Sequence, residues 1–397
     1  MYSSNQTQFR SAGFALLLFA VPLAGSSPWA AAWTAPCMLF AAVLMTWGAE
    51  SAQFFVAQGF ALAILAWMQT LPEFAVEAVL AWHQETTLLI ANLTGAIRLL
   101  IGFAWPMIYV TAAFVHRRRT RQPMRKIALD PQQSAEVIGL IAPIIYGFVI
   151  WAKDSLEVYD AVILVALYAG YLWFLTRLPA QEREAVEELD AVPRHIVLAP
   201  RRRRIAGITA CFAAGGVLIY FTAAPFLGSL MALAGAVGIP TFVVIEWLAP
   251  LISEFPEIVS TFYFAKHSER ASVGLMNIAS SNINQWTLLM AMLPVVFSLS
   301  RGGFSAIPLD PQQEAQLLLT IAQSSVAVVF LANMELAWWE AASMFALFVA
   351  QFALPADWIA YAFFVWTAAA IAEMIARRRR PEALKKFVQI WRAYVLR

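Results

Sequence analysis

The chain has 397 residues, of which 61% are hydrophobic and only 13% charged, with a formal net charge of +2 and a mean hydropathy of +0.67. That composition excludes an ordinary soluble globular protein: a spanning helix needs about 20 mostly apolar residues, and nearly the whole length divides into such stretches. The basic residues cluster in HRRRTRQPMRK at 116–126 and in RRRR at 201–204 and 377–380, short runs between apolar segments that read as an orientation signal rather than a nucleic-acid footprint.

In chain order, residues 1–32 hold an N-terminal tail and an apolar run at 13–28 behind Arg10. This run reads as a signal peptide with an AGSS exit or as a first spanning helix. Apolar segments follow at about 31–54, with Glu50 near its end, at 57–81, with Pro72, Glu73 and Glu77, and at 87–115, with Asn92, Gly95 and Arg98. Two more, 134–152 and 157–177, close a first half at 33–178. Residues 179–204 begin acidic (QEREAVEELD) and end in RRRR, a solvated cytoplasmic linker with an amphipathic helical piece. The second half, 205–354, carries segments at about 205–234, 240–265, 271–299, 313–333 and 336–354. An extra helix at 355–376 leads to a basic tail, 377–397.

Alternate crossings place all three basic runs on one side, the cytoplasmic one, with both termini there if 13–28 spans. The expectation is an integral protein of a prokaryotic inner membrane with about 11 to 12 spanning helices. Its partners would be the lipid bilayer and small inorganic cations, with no nucleic acid; the sequence leaves the oligomeric state open.

An internal repeat is visible by eye. LDPQQ occurs at 129–133 and again at 309–313, and the Pro-Glu pair at 72–73 returns at 256–257, 184 residues later. An odd number of crossings separates equivalent positions, so the second copy is inserted upside down. Inverted repeats of this kind commonly build secondary transporters with the site at their interface near the bilayer midplane.

A carboxylate deep in a bilayer costs about 3 kcal/mol or more on insertion scales, and a proline inside a helix about 3 kcal/mol. Meeting both penalties twice marks MQTLPEFAVE (68–77) and ISEFPEIVS (252–260) as a site. Glu73 and Glu77 lie four apart and Glu254 and Glu257 three apart, so each pair shares a helix face. Pro72 and Pro256, read as helix-breaking, free carbonyls near Met68 and Ile252. Thr70, Ser253, Gln69, Asn277, Ser281 and Gln285 supply neutral oxygens, the all-oxygen mixture that calcium and sodium take. Four ionised carboxylates at close range repel, so protons compete with the cation. Arg98 supplies a permanent charge expected to pair with Glu77 or Glu50, and Glu246, eight residues before Glu254, is placed along an access path. Glu335, Glu340 and Glu373 read as interfacial acids reaching water.

The four histidines sit at or beyond segment ends and the two cysteines, Cys37 and Cys211, have no metal or redox spacing. A transition-metal site is not expected, nor a cofactor beyond the transported Ca2+ or Na+ and H+. With no phosphate-cradling loop and no activated nucleophile, the chain reads as a transporter and not an enzyme.

The two Pro-Glu segments resemble the alpha repeats of the cation/calcium exchanger superfamily, whose pattern is Gly-Thr-Ser-x-Pro-Glu followed by Gly-Asn-x-x-Gly-Ser-Asn. QTLPE matches through Thr70 and Glu73, ANLTGAI through Asn92 and Gly95, SEFPE through Ser253 and Glu257, and MNIASSN through Asn277, Ser281 and Asn282. The chain is most similar to prokaryotic members labelled sodium/proton exchangers. The resemblance implies two inverted five-helix repeats with extra helices at both ends, and antiport by alternating access with Glu73 and Glu257 as cation ligands. Met68, Ala96 and Ile97 depart from the pattern, and Glu254 takes a slot normally held by a hydroxyl. These departures favour Ca2+ or Na+ exchanged for H+ over sodium/calcium exchange, and a non-transporting relative is a further alternative.

Overall fold

A computed structural model describes residues 27–52, 54–55, 70–178, 186, 189–354, 356–376 and 381–396. The run at 13–28, Met68, Gln69 and the basic run at 377–380 lie outside these. The first half contains α1 (Ala31–Ala52), α2 (Leu71–Trp82), α3 (Thr86–Leu99), a π-helical turn (Leu100–Ala104), α4 (Trp105–Thr120), β1 (Lys126–Ala128), α5 (Ser134–Gly139), α6 (Ile141–Ala152), β2 (Ser155–Leu156) and α7 (Val158–Leu175). A short amphipathic helix, α8 (Ala191–Leu198), follows in the linker. The second half runs through α9 (Arg201–Val237), α10 (Thr241–Ser253), α11 (Phe255–Lys266), α12 (Ala271–Asn284), a second π-helical turn (Gln285–Leu289), α13 (Met290–Ser300), β3 (Ile307–Pro308), α14 (Pro311–Leu331), β4 (Glu335–Ala337) and α15 (Trp338–Ala350). Then come α16 (Ala356–Ala376) and α17 (Glu382–Tyr394).

Hydropathy alone predicts these bounds to within a few residues. Among the described residues eight helices are long and apolar enough to cross a membrane, with Thr241–Ser253 and Trp338–Ala350 as shorter apolar helices. The 37 residues of α9 make it about 55 Å long at 1.5 Å per residue, well beyond a hydrocarbon core of about 30 Å. The excess carries Arg201–Arg204 past the apolar region, and Gly238 at φ +74° stops the helix in the left-handed conformation.

What the sequence did not announce is a pair of small β-ladders that fix the inverted arrangement. β1, ahead of α5, pairs antiparallel with β4, behind α14. β3, ahead of α14, pairs with β2, behind α6. Leu129 donates its amide to the Met334 carbonyl and Leu309 to that of Asp154, both at 2.9 Å. Asp154 and Met334, 180 residues apart, share a positive φ of 53° and 63°. The LDPQQ copies are helix starts: the Gln133 and Gln313 side chains accept from the Asp130 and Asp310 amides at 2.8 and 3.0 Å, closing capping boxes with proline in the first turn.

The ladders also define two faces of the bundle. Loops 121–130 and 332–337 meet on a first face, and loops 153–157 and 301–310 on the opposite, second face. Counting helices from these fixed points puts the 116–126 and 201–204 basic runs together on the first face. Glu335, expected to reach water, pairs there with Lys126, while Glu340 accepts the Ala337 amide at 2.7 Å and caps α15.

The amphipathic α17 lies against the first face. The Ala383 amide donates to the Ala332 carbonyl at 2.9 Å, and Phe387 and Trp391 pack on Phe174 with ring centroids 4.8 and 5.4 Å away. Trp391→Ala removes most of that anchor. Tryptic cleavage at Lys385 and Lys386 is expected to accelerate about tenfold, for about 1.4 kcal/mol of lost docking, while the spanning core stays protected.

Candidate functional site

The site is built where two helices begin. α2 and α11 each carry proline in the first turn, behind Thr70 and Glu254 at their N-caps. This corrects the expectation of prolines breaking helices from within. Pro256 opens α11 after α10 has ended at Ser253, so its missing amide is one that a helix start leaves unpaired anyway. Glu73 and Glu257 consequently occupy first turns, where the positive end of the helix dipole favours a carboxylate.

Glu73, Glu254 and Glu257 converge, each at most 3% exposed. Glu254 lies within hydrogen-bonding reach of both Glu73 and Glu257. The Gln285 amide bridges the repeats, donating to both Glu73 oxygens at 3.1 Å and to Glu254 Oε1 at 3.0 Å. Ser281 donates to Glu257 Oε1. Asn284 donates to Thr70 Oγ1 at 2.6 Å, a contact no sequence motif flags. One turn from Glu73, Glu77 is fully buried and accepts from Asn92 Nδ2 at 2.8 Å.

Other expected ligands stand apart. The Ser253 hydroxyl turns back to the Pro250 carbonyl at 3.3 Å, and Asn277 is only half-buried, with an amide nitrogen that has no partner. Glu50 is half-buried near the first-face end of α1. Arg98 pairs with neither Glu77 nor Glu50 but with Glu246 of α10, because the helix contact that matters for it is α3 against α10. Gln351 and Gln323, unremarked in the sequence, complete its surroundings: Gln351 Oε1 accepts from Arg98 Nη1 at 2.9 Å, and Gln323 Nε2 donates to the Arg98 carbonyl at 2.9 Å.

The duplication is offset by 185 residues here. The π-helical turns at Leu100 and Gln285 begin at equivalent positions, as do Asn92 and Asn277. At that offset Ala96, Leu99 and Leu100 stand where the second repeat has Ser281, Asn284 and Gln285. Both repeats therefore supply a first-turn glutamate, but the neutral polar contacts to it come from α12 and its π turn.

Six buried oxygens in this region accept no hydrogen bond: Glu77 Oε2, Asn92 Oδ1, Glu257 Oε2, Asn282 Oδ1, Asn284 Oδ1 and Gln285 Oε1. Buried acceptors are normally satisfied, and a hard cation is the partner such a surplus of oxygen fits. Among the described residues no group of three His, Cys, Asp or Glu is arranged as a ready metal cage. The carboxylates instead lean on one another, and a hydrogen bond between two carboxyl groups requires a proton on one of them.

A family model described as sodium/calcium exchanger protein matches residues 26–177 and 207–355, one match for each half of the duplication. The chain belongs to the sodium/calcium exchanger family. Among solved structures, this exchanger is similar to the H+/Ca2+ exchanger CAX at 29% identity and a TM-score of 0.87, over 99% of both chains. It shares the fold of the sodium-calcium exchanger NCX_Mj, with 19% identity, 85% and 98% of the two chains covered and a TM-score of 0.54. It also shares that of YfkE, with 15% identity, 89% and 99% covered and a TM-score of 0.60. A comparison with curated proteins found no match. The exchanger's two inverted repeats thus follow from duplication, ladders and family alike.

Proposed function

We propose that this exchanger is a Ca2+/H+ antiporter in which Glu73, Glu254 and Glu257 bind either the cation or protons. The carrying observation is the hydrogen-bonded carboxylate series linked by Gln285. Such a series holds protons between its members, and a divalent cation must displace them to bind. Gln285, Ser281 and the unpaired amide oxygens complete the cation's oxygen shell, with Thr70 held in place by Asn284. Similarity across the whole chain to a structure described as an H+/Ca2+ exchanger supports the same reading. Hydroxyl slots of the family pattern are filled by Ala96 and Glu254, which argues for protons over sodium as the counter-ion.

The basic runs place the first face in the cytoplasm, together with α17. In a prokaryotic cell this corresponds to the inner membrane, and a twelfth crossing at 13–28 would bring the N-terminus to the same side.

Reconstitution in proteoliposomes tests the function: an imposed proton gradient should drive 45Ca2+ uptake, and uptake that needs a sodium gradient and ignores a collapsed proton gradient would refute it. Glu254→Gln removes one exchangeable proton and leaves Gln285 an oxygen to donate to. The number of protons released per Ca2+, read with a trapped pH dye, should fall by about one. An unchanged ratio would take Glu254 out of the coupling.

A further inference from the structure

Outside the carboxylate series, the densest polar structure in the bundle is the one around Arg98. Its side chain is 1% exposed and that of its partner Glu246 6%. Besides Glu246 and Gln351, Arg98 Nε donates to the Thr94 carbonyl at 3.1 Å, and the guanidinium lies 5.0 Å from the Trp247 ring centre. Trp247 in turn meets Phe348 and Phe352, 5.5 and 4.7 Å away. The ion pair therefore ties α3 of the first repeat to α10 and the end of α15 in the second.

Its depth is informative. α10 enters from the second face at Thr241 and reaches Glu254 at its inner end. Glu246 is five residues along, about 7 Å in at 1.5 Å per residue, and Glu254 about 12 Å deeper. The ion pair thus lies between the second face and the carboxylates. α3 and α10 close there because position 95 is glycine: a Cβ on Gly95 would run into the Glu246 carbonyl oxygen. The duplication did not copy the arrangement to the other side, since Ile283 stands at the equivalent of Arg98 and Leu62 at that of Glu246.

We infer that the Arg98–Glu246 pair is the gate on the second-face side of the cation site. Two buried charges separate only if water reaches both, because an unpaired charge in a dry interior is strongly disfavoured. The pair is therefore either closed and dry or parted and hydrated, and an arriving cation can take over Glu246 while Arg98 turns to Gln351. A gate of this kind on one side only makes release to the second face an ionic event and release to the first face a matter of apolar packing. The inference rests on the cation site proposed above, but its test reads access rather than transport.

The test uses the full chain with Cys37 and Cys211 replaced by alanine and Ala249→Cys as reporter, on α10 between Glu246 and Glu254. Oriented proteoliposomes are treated from either face with a membrane-impermeant maleimide. Glu246→Gln, which keeps an acceptor for Arg98 but removes the charge, should raise labelling from the second face about tenfold and leave the first face unchanged. The swap of Arg98→Glu with Glu246→Arg should return labelling to the parent rate. Should the swap fail to fold, Arg98→Lys, an ion pair without the planar fork, should label between the parent and Glu246→Gln. Unchanged labelling in Glu246→Gln, or an equal rise from both faces, overturns the gate. Parallel 45Ca2+ uptake separates the two readings: a one-sided labelling change without Ca2+ uptake in any variant keeps the gate and removes the Ca2+ assignment.

Discussion

Glu257→Gln and Glu73→Gln each abolish proton-driven Ca2+ uptake, by at least about 100-fold, in protein that remains folded. Each glutamate lies in the first turn of a helix whose N-terminus faces the site, and each is almost wholly buried. The amide keeps the shape and one acceptor oxygen but cannot hold an exchangeable proton or neutralise a divalent cation. Losing one buried charged ligand costs about 3 kcal/mol or more, and 1.4 kcal/mol is a factor of ten. The measurement is initial 45Ca2+ uptake under a pH gradient, with elution volume and thermal melting as folding controls. Uptake within about threefold of the parent in either variant would remove that glutamate from the site. Because Ser281 already donates to Glu257 and Gln285 to Glu73, both variants retain a hydrogen-bond partner, and misfolding is not the expected cause of loss.

Gly95→Ala is expected to be the most disruptive single methyl in the chain. The added carbon would collide with the Glu246 backbone carbonyl, and backbone cannot rotate away as a side-chain tip can. Forcing α3 from α10 costs about 1–3 kcal/mol as overpacking and strains the Arg98–Glu246 contact beside it. A lower melting temperature in detergent should accompany a loss of uptake. By contrast Gly170→Ala, where an added methyl meets nothing within 4 Å, should leave both unchanged. A Gly95→Ala protein as stable as the parent would show that the two helices do not close at that point.

The membrane fold was legible because composition and hydropathy act over whole segments. Helices such as Ala271–Asn284 and Ala356–Ala376 fall where twenty apolar residues leave no other way to satisfy the backbone in lipid. The duplication was legible because LDPQQ and Pro-Glu survive as words, and the LDPQQ copies do so for a local reason, the capping box each closes. Glu73 and Glu257 stood out through the expense of a carboxylate in an apolar segment.

What the sequence could not supply was partnership across helices. Arg98 had three carboxylates in adjacent segments to choose from, and only the close approach permitted by Gly95 selects Glu246. Asn284 and Gln285 look like ordinary polar residues late in a helix until the π turn rotates that stretch toward Thr70 and Glu73. Ser253 shows the converse, a residue in the motif whose hydroxyl is taken by its own helix. Sequence by itself determined that this protein crosses a membrane as two inverted copies and that each copy brings a glutamate behind a proline, because burial, periodicity and helix-start chemistry are written in local residues. Tertiary structure alone decided that the prolines begin helices rather than break them, that the glutamates lean on one another, and that the single buried arginine guards one side, because those outcomes depend on contacts between residues some 150 to 250 positions apart.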